Sequence, residues 1–423
     1  MITALAGGAA AALLSVAAAD PAVVHVAPSG NDANRGTAAA PVASFARAYR
    51  LARPGGIVEV AGGAYGDQRL VRDPTKRSPR DVVFRPAAGA RVSLSLLDFG
   101  QEQFDLLGPH DVTVENMSIR YIRAWRGARY LRWEGIDAAH FDVFDASDVV
   151  IRGGDYGPCQ APRDDLSCVS RIAGRAARIT IDGAKIHGVT STDLTNYHVD
   201  GLFIRGGRDV VIRNSRFYGN MITNIRVQEQ PCCANTGLLL ENNWFAPPLQ
   251  GDGVTPRWDA VDVDTPVDRL VIRNNSFLAS GVQLIGTYRR ARVVGNVFTN
   301  YGCGDGVTYV RNVFVPFSGT NGRKPCGPSD RRVRSVGFVD SSRFDLRLRP
   351  DSPAFGAGDP KDCAATDIER RLRLVGLKCD AGAYEVQEAV VCVAGRAVRV
   401  PLRQVRSTIA GGGSIGSCRR RGR

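Results

Sequence analysis

The chain has 423 residues and a formal net charge of +13, with 55 Lys and Arg residues against 42 Asp and Glu. The arginines are scattered rather than gathered in a basic stripe interleaved with aromatics, which argues against a nucleic-acid-binding protein. A basic surface instead favours acidic glycans by long-range attraction. Beyond the first residues no apolar run approaches the roughly 20 residues of a membrane span, so we expect no membrane partner.

The first segment has the composition of an export signal. Residues 2–19 are apolar or small, and Ala17, Ala18 and Ala19 precede Asp20 as a small-residue cleavage site. This pattern predicts a signal peptide over 1–19 and a secreted, extracellular protein.

A short helix and then a recurring strand pattern follow. Residues 44–52, after Pro41, are predicted to be helical. The run Asp209–Phe217 (DVVIRNSRF) is a short β-branched strand, a turn at Asn and a closing aromatic residue. Degraded copies occur at 111–119, 148–156, 178–186, 237–245, 269–277, 292–298 and 307–314. Asn and Gly suit the corner because they tolerate left-handed conformations. Such a unit buries its apolar face only by stacking on its neighbours, which predicts a solenoid of parallel strands.

Three segments resemble a known family. Residues 25–65 are similar to the opening rung and capping helix, the repeats to the middle, and residues 338–385 to the closing segment, of secreted bacterial right-handed parallel β-helix proteins of the pectate-lyase-like superfamily. The resemblance implies an all-β fold: a parallel β-helix over 20–345 in about ten turns with an N-terminal capping helix, and a closing segment over 346–385. Residues 386–423 resemble a short Cys-bracketed tail. This superfamily includes polysaccharide lyases, glycosidases and epimerases, so fold alone does not give the reaction.

The ten cysteines are an even number, as expected of disulfides in an exported protein. Their spacing suggests four pairs and leaves Cys232 and Cys233 to pair with each other or elsewhere. The four suggested pairs are Cys159–Cys168, Cys303–Cys326, Cys363–Cys379 and Cys392–Cys418. A zinc site is the weaker alternative, because no CxxC pair or nearby His supports one.

Alternate residues of each strand point outward, so residues of successive turns form columns on one face. A second strand is predicted eight to nine residues upstream of each repeat strand, with its middle residue facing solvent. The predicted column is Asp142, Arg171, Phe203, Arg226, Asp262 and Gln283. Asp142, Arg171 and Trp133 are candidate substrate-binding residues. Trp133 belongs, with Trp125 and Tyr130, to a predicted insertion over 120–134, whose aromatics could stack on sugar rings or could equally pack the insertion onto the barrel.

The segment Tyr197–Gly201 holds the sharpest catalytic signal. His198 and Asp200 lie two residues apart and would share one side of a strand, the geometry of a proton-transferring pair. The alternative is a simple turn into the strand. With Arg226 they form the predicted catalytic set.

Asp259, Asp262 and Asp264 are predicted metal ligands, since acid clusters suit Ca²⁺; a ladder of opposite charges between strands is the alternative. In a β-elimination, Arg226 or the cation would neutralise a uronate carboxylate while His198 removes the α-proton.

The leading hypothesis is therefore a polysaccharide lyase or epimerase acting on an acidic glycan. Two alternatives stay open: a non-catalytic carbohydrate-binding or surface scaffold, and an inverting glycoside hydrolase with Asp200 and Asp259 or Asp262 as its carboxylates. Whether the protein is an enzyme at all is open at this stage. We expect a monomer whose partner is a polysaccharide.

Overall fold

The structure is a computed structural model that describes residues 23–101, 106–161, 166–192, 199–250, 253–257, 259–316, 324–374, 379–415 and 418. The predicted signal peptide, 1–19, lies outside the described residues, and so does His198.

The chain winds into a right-handed parallel β-helix whose strands fall on three faces. The repeat face carries the recurring pattern, and its neighbouring strands all pair in parallel. Its twelve strands are Val23–Val26, Ile57–Val60, Val82–Pro86, His110–Glu115, Arg129–Glu134, Ser147–Arg152, Ala177–Asp182, Arg208–Arg213, Thr236–Glu241, Val271–Arg273, Thr287–Val294 and Asp305–Val310.

The upstream strands predicted from the repeat form a second face, the charged face, which is also parallel. Its ten strands are Gly63–Leu70, Val92–Phe99, Ser118–Ala124, His140–Phe144, Ser170–Ala173, Leu202–Arg205, Ile225–Gln228, Asp259–Val263, Gly281–Leu284 and Asn300–Tyr301.

The third, short face holds the residues that close each repeat, in strands of two or three residues. These strands are Asp137–Ala138, Asp155–Tyr156, Lys185–His187, Arg216–Tyr218, Trp244–Phe245, Ser276–Phe277, Val297–Phe298, Val313–Phe314 and Arg331–Arg332. Phe217, Phe245, Phe277 and Phe298 stack inside the barrel with ring centroids 5.0, 4.7 and 4.9 Å apart. The closing aromatic of the repeat is therefore a core residue.

The coil differs from the expectation in length and in where it ends. Twelve strands lie on the repeat face, against about ten predicted turns, because the degraded N-terminal rungs carry little of the repeat pattern. Parallel pairing ends at Arg331–Arg332. Phe338–Asp340 then pairs antiparallel with Asp345–Leu348 around the 3₁₀ turn Ser341–Arg343. The β-helix thus stops before residue 345.

The corner after each repeat strand uses its two polar residues differently. The first is left-handed, with φ of 54° at both Asn214 and Asn242, as the sequence predicted. The second is fully buried and bonds the next turn: Asn243 N and Nδ2 both donate to Asn275 Oδ1, at 2.8 and 3.1 Å. Asn296 and Asn312 continue this asparagine stack. The stack was not predicted.

The helix Phe45–Leu51 covers the N-terminal end of the barrel, within the stretch predicted to be helical. Ser44 is its N-cap and accepts a hydrogen bond from Arg47 N at 3.1 Å. Phe45 is fully buried and stacks on Phe84, with ring centroids 5.1 Å apart. The helix therefore seals the open end of the core.

The closing segment docks on the outside of the barrel. Arg373 forms a fully buried ion pair with Glu385 at 2.9 Å and donates to Asn242 Oδ1 at 2.9 Å. The tail then forms an antiparallel sheet of Glu388–Val393, Arg396–Pro401 and Ser414–Ile415. Its helix Leu402–Ala410, which was not predicted, packs Val405 against Val391 in a separate small core.

All ten cysteines pair as disulfides. The bonds are Cys159–Cys168, Cys232–Cys233, Cys303–Cys326, Cys363–Cys379 and Cys392–Cys418. The four pairs suggested by spacing are confirmed, and the adjacent pair is vicinal. Near the disulfide Cys159–Cys168, the short strand Cys159–Ala161 pairs in parallel with Val189–Ser191, and Cys168 ends the 3₁₀ turn Leu166–Cys168. Five disulfides are typical of a protein from an oxidising compartment. Within the described ranges no helix is both long and apolar enough to cross a membrane.

Candidate functional site

The predicted column of neighbouring residues exists on the charged face, but Asp142, Phe203 and Asp262 are buried and do not face solvent as predicted. In register, Asp142 lies beside Arg171, Arg171 beside Phe203, and Phe203 beside Arg226. Arg226 in turn lies beside Asp262, and Asp262 beside Gln283. Towards the N-terminus the column continues through residues that the repeat did not reveal: Arg123, Asp98 and Arg69.

The N-terminal half of this column is a ladder of alternating charges. Arg171 donates to both carboxylate oxygens of Asp142, at 2.8 and 2.6 Å. Arg123 does the same to Asp98, at 2.7 and 3.1 Å. Asp142 is therefore neutralised by its neighbour, which favours the structural alternative for this carboxylate. Both Asp142 and Arg171 nevertheless line a cavity of about 190 Å³ on the charged face.

The C-terminal half gathers four groups, Asp200, Arg226, Asp262 and Asp264, which we call the carboxylate cluster. Arg226 Nη2 donates to Asp264 Oδ2 at 2.6 Å, and Gln228 Nε2 donates to the same oxygen at 2.7 Å. Burial opposes ionisation of Asp264, but these hydrogen bonds and the Arg226 charge hold its pKa below the usual range. Asp264 is thus the ionised member of the cluster.

Asp262 is the protonatable member. It lies on the strand Asp259–Val263, two residues before Asp264, and is only 7% exposed. Burial, aided by the negative charge of Asp264, raises the pKa of Asp262 to about 7, while Arg226 opposes the shift. Among the described residues its Oδ1 has no hydrogen-bond partner. A carboxyl that exchanges a proton near neutral pH suits general acid–base chemistry.

Asp200 lies at the corner before the strand Leu202–Arg205 and is 0% exposed. Thr223 Oγ1 donates to its Oδ1 at 2.7 Å, whereas Oδ2 has no partner within the described ranges. Burial raises the pKa of Asp200 to about 6, and the Thr223 hydrogen bond and Arg226 oppose the shift. The charge of Arg226 acts on Asp200, but a fully enclosed carboxyl cannot touch a polysaccharide. His198, its predicted partner, is not among the described residues.

The three predicted metal ligands do not form a metal site. Asp264 is occupied by Arg226 and Gln228, and the raised pKa of Asp262 favours its neutral form. Asp259 is at the start of the same strand, and its charge raises the pKa of Asp262 further. Over the residues that the structure describes, no three His, Cys, Asp or Glu side chains are arranged to hold a metal ion. The geometry therefore does not fit a Ca²⁺ site made of these carboxylates.

The predicted sugar-stacking role of Trp133 is wrong. Trp133 is 0% exposed, on a regular strand of the repeat face, and its ring packs against Phe99 with centroids 5.9 Å apart. The stretch 120–134 is thus part of two rungs rather than an insertion. Trp125 is the residue of this group that lines the cavity on the charged face.

The lining residues of this cavity that sequence reasoning missed include Phe144, Arg205 and Gln230. A signal for two of them was present. Phe144 and Arg205 follow Asp142 and Phe203 by two residues, and a period of two places them on the same outward face. Gln230 lies beyond the end of its strand, where the period gives no guidance.

No family model matches the chain, and no curated protein matches it. Among solved structures, the chain is similar to the crystal structure of pectate lyase Pel9A at 14% identity, with a TM-score of 0.47 over 86% of this chain and 96% of that one. It is similar to XylC in complex with xylose at 9% identity, with a TM-score of 0.47 over 86% and 98%. It is also similar to a rhamnogalacturonan lyase at 13% identity, with a TM-score of 0.35 over 78% and 94%.

At such identities a likeness concerns the fold and not the reaction. The strand topology itself gives the assignment, because three parallel faces are wound from successive turns and one end is covered by a helix. The protein is therefore a right-handed parallel β-helix protein.

Proposed function

We propose that the protein acts outside the cell on an acidic polysaccharide lying along the charged face, and that it cleaves this chain by β-elimination at the carboxylate cluster. The observation that carries the proposal is Asp262, a carboxyl with a pKa of about 7 beside Arg226. Perturbed carboxyls of this kind concentrate at functional sites. The extracellular setting is supported by the five disulfides.

The proposed chemistry uses Asp262 as the base. Its ionised form removes the proton α to a uronate carboxyl, the C–O bond to the leaving sugar breaks, and a carbon–carbon double bond forms in the sugar ring. The oxygen of the leaving sugar takes a proton from water. The positive charge of Arg226 offsets the negative charge that develops on the uronate carboxyl, as preorganised cations do in other active sites. His198 stays a second proton-transfer candidate from the sequence.

Elimination fits the cluster better than inverting hydrolysis does. An inverting hydrolase needs two carboxylates that flank the bond about 6.5–9.5 Å apart, with room for a water molecule. Asp200, the predicted partner of Asp262 in that reaction, is 0% exposed. It can tune the charge of the cluster but cannot hold a water molecule against the glycan.

A non-catalytic glycan-binding scaffold is the second candidate. The paired charges Arg123–Asp98 and Arg171–Asp142 favour it, because such cross-strand ladders stiffen a surface without chemistry. Under this alternative the carboxylate cluster is a structural network.

The test is a turnover assay with the full chain on polygalacturonate, alginate, chondroitin and neutral glycans, with and without added Ca²⁺. We expect ultraviolet-absorbing unsaturated ends from an acidic glycan, reduced at least 100-fold in Asp262→Asn and unchanged in the control Asp305→Asn, an exposed carboxylate on the repeat face. Reducing ends without absorbance would instead identify a hydrolase, and binding without turnover would favour the scaffold.

A further inference from the structure

We propose that the cavity beside Trp125 binds one carboxylate-bearing sugar residue, so that the glycan is recognised at a site separate from the carboxylate cluster. This inference rests on the proposed function and adds a recognition site for the uronate-containing chain. We call this cavity the uronate pocket; the lining residues used in the argument are Trp125, Asp142, Phe144, Arg171, Ala173, Arg205 and Gln230.

A small residue in the second outward column creates the pocket. In register, Phe144 lies beside Ala173, and Ala173 beside Arg205. Ala173 is therefore a gap between two large side chains that rise from the neighbouring rungs. The gap has a volume of about 190 Å³, which is below the roughly 300 Å³ of pockets for drug-sized ligands. It is suited to a single ring.

The pocket has a net positive charge. The negative charge of Asp142 is matched by Arg171 through two hydrogen bonds. This leaves the guanidinium of Arg205, which forms no hydrogen bond or ion pair with the described residues and whose Nε is buried without a partner. It lies over the Phe203 ring, 5.3 Å from the centroid. A planar guanidinium held in this way is matched to a carboxylate by two parallel N–H donors.

The remaining walls suit a sugar. Gln230 Oε1 accepts a hydrogen bond from Gly174 N at 3.0 Å, which fixes this side chain and leaves its amide group to donate to a hydroxyl. Trp125 and Phe144 are in contact, with ring centroids 5.8 Å apart, and form an aromatic wall. Trp125 Nε1 is anchored on Asp98 Oδ1 at 3.4 Å. Aromatic groups of this type present apolar surface with little loss of conformational entropy.

The pocket is on the path of the proposed substrate. Arg205 lies in register with Gln228, which donates to Asp264 in the carboxylate cluster. One strand spacing is about 4.8 Å, so the cluster begins within about 10 Å of the pocket. A glycan chain along the charged face would reach both.

The test is binding of sodium D-galacturonate, D-glucuronate, D-mannuronate and L-guluronate to the full chain, with the parent hexoses as uncharged controls and a 6-sulfated hexose as the other anion. The readouts are calorimetry and the indole N–H resonance of Trp125, assigned with Trp125→Phe. We expect at least one uronate to bind and shift this resonance, and the hexoses and the sulfated hexose to bind at least 10-fold more weakly.

Arg205→Gln should weaken uronate binding at least 10-fold, and Ala173→Leu, which fills the gap, should abolish it. Arg208→Gln is the matched control, because Arg208 is an exposed arginine on the repeat face; it should leave binding unchanged. The proposal is overturned if no uronate binds, if hexoses bind equally well, if the sulfated hexose binds as tightly as the uronates, or if Arg205→Gln binds like the wild type.

The same measurements in Asp262→Asn separate this proposal from the proposed function. Uronate binding that persists in Asp262→Asn but is lost in Arg205→Gln supports the pocket whether or not turnover is found. Elimination with a KM that Arg205→Gln does not change would refute the pocket and leave the cluster chemistry standing.

Discussion

At the scale of single residues, Asp262 and Asp264 show how two aspartates only two positions apart receive different roles. Asp264 takes the hydrogen bonds of Arg226 and Gln228 and stays ionised. Asp262, buried beside that negative charge, has a pKa raised to about 7. Pairs with separated pKa values are a recurrent basis of acid–base assignment in enzymes.

The raised pKa predicts the pH dependence of turnover. A base must be deprotonated, so the elimination rate should rise with pH and level off above about pH 7. Because the two carboxyls interact, the midpoint belongs to the pair and not to Asp262 alone. The measurement is kcat/KM between pH 5 and 9; a rate that is flat across this range would contradict the role of Asp262.

Stability should change with pH in the opposite direction. Between the usual value of 3.8 and about 7, folded Asp262 keeps a proton that the unfolded chain has released, so its stabilising contribution is present at low pH and is lost as pH rises through this window. Asp262→Asn should therefore flatten the pH dependence of the unfolding midpoint between pH 4 and 7. Asp305→Asn should not, and equal slopes in all three proteins would contradict the assignment.

The column itself could be predicted from the sequence, because a period of two within a repeated unit fixes which residues share a face. The protonation states could not. They depend on burial and on Arg226, whose ion pair with Asp264 joins residues 38 positions apart. The mistaken role of Trp133 has a related cause, since a Trp in a weak copy of the repeat cannot be told from an insertion residue by its neighbours.

At the scale of elements, the asparagine stack fixes the spacing of the C-terminal rungs. Asn275 Nδ2 donates to Leu240 O at 2.9 Å and to Asn296 Oδ1 at 3.0 Å, and its Oδ1 accepts from Asn243. The sequence showed Asn at these corners and suggested a conformational reason, which holds for Asn242 and Asn274. The hydrogen-bonding role of the following residue needs the register of neighbouring turns and was not visible.

Asn275→Ala should lower the free energy of unfolding by about 3 kcal/mol, because it leaves buried donors on Asn243 without an acceptor. The exposed Asn31, which accepts a local hydrogen bond from Ala33 N, provides the control: Asn31→Ala should cost less than about 0.5 kcal/mol. Denaturant unfolding measures both, and equal effects would argue against the stack.

At the scale of the whole molecule, all ten cysteines are paired in five disulfides. Thiol titration of the denatured, unreduced protein should therefore find no free cysteine. Most of the ten thiols reacting would contradict both the pairing and the export of the chain.

The tail should be separable from the β-helix. The tail contains its own disulfide, Cys392–Cys418, and its own small core around Val391 and Val405. From the closing segment, Leu374 packs against this core. A chain ending at Gln387 should thus keep the far-ultraviolet spectrum and a single cooperative unfolding transition. Loss of the β-sheet signal in the shortened protein would show that the tail is required for folding.

The closing segment has a consequence for how the molecule is made. Arg370 reaches back to Asp182, and Arg373 to Asn242, across 188 and 131 positions of the chain. Synthesis and export deliver the N-terminal rungs first, and these can stack in order on local contacts. The middle rungs, however, wait for the last part of the barrel sequence to arrive before their outer surface is sealed. Folding of the barrel can therefore start at the N-terminus, but it is completed only when the closing segment docks on the middle rungs.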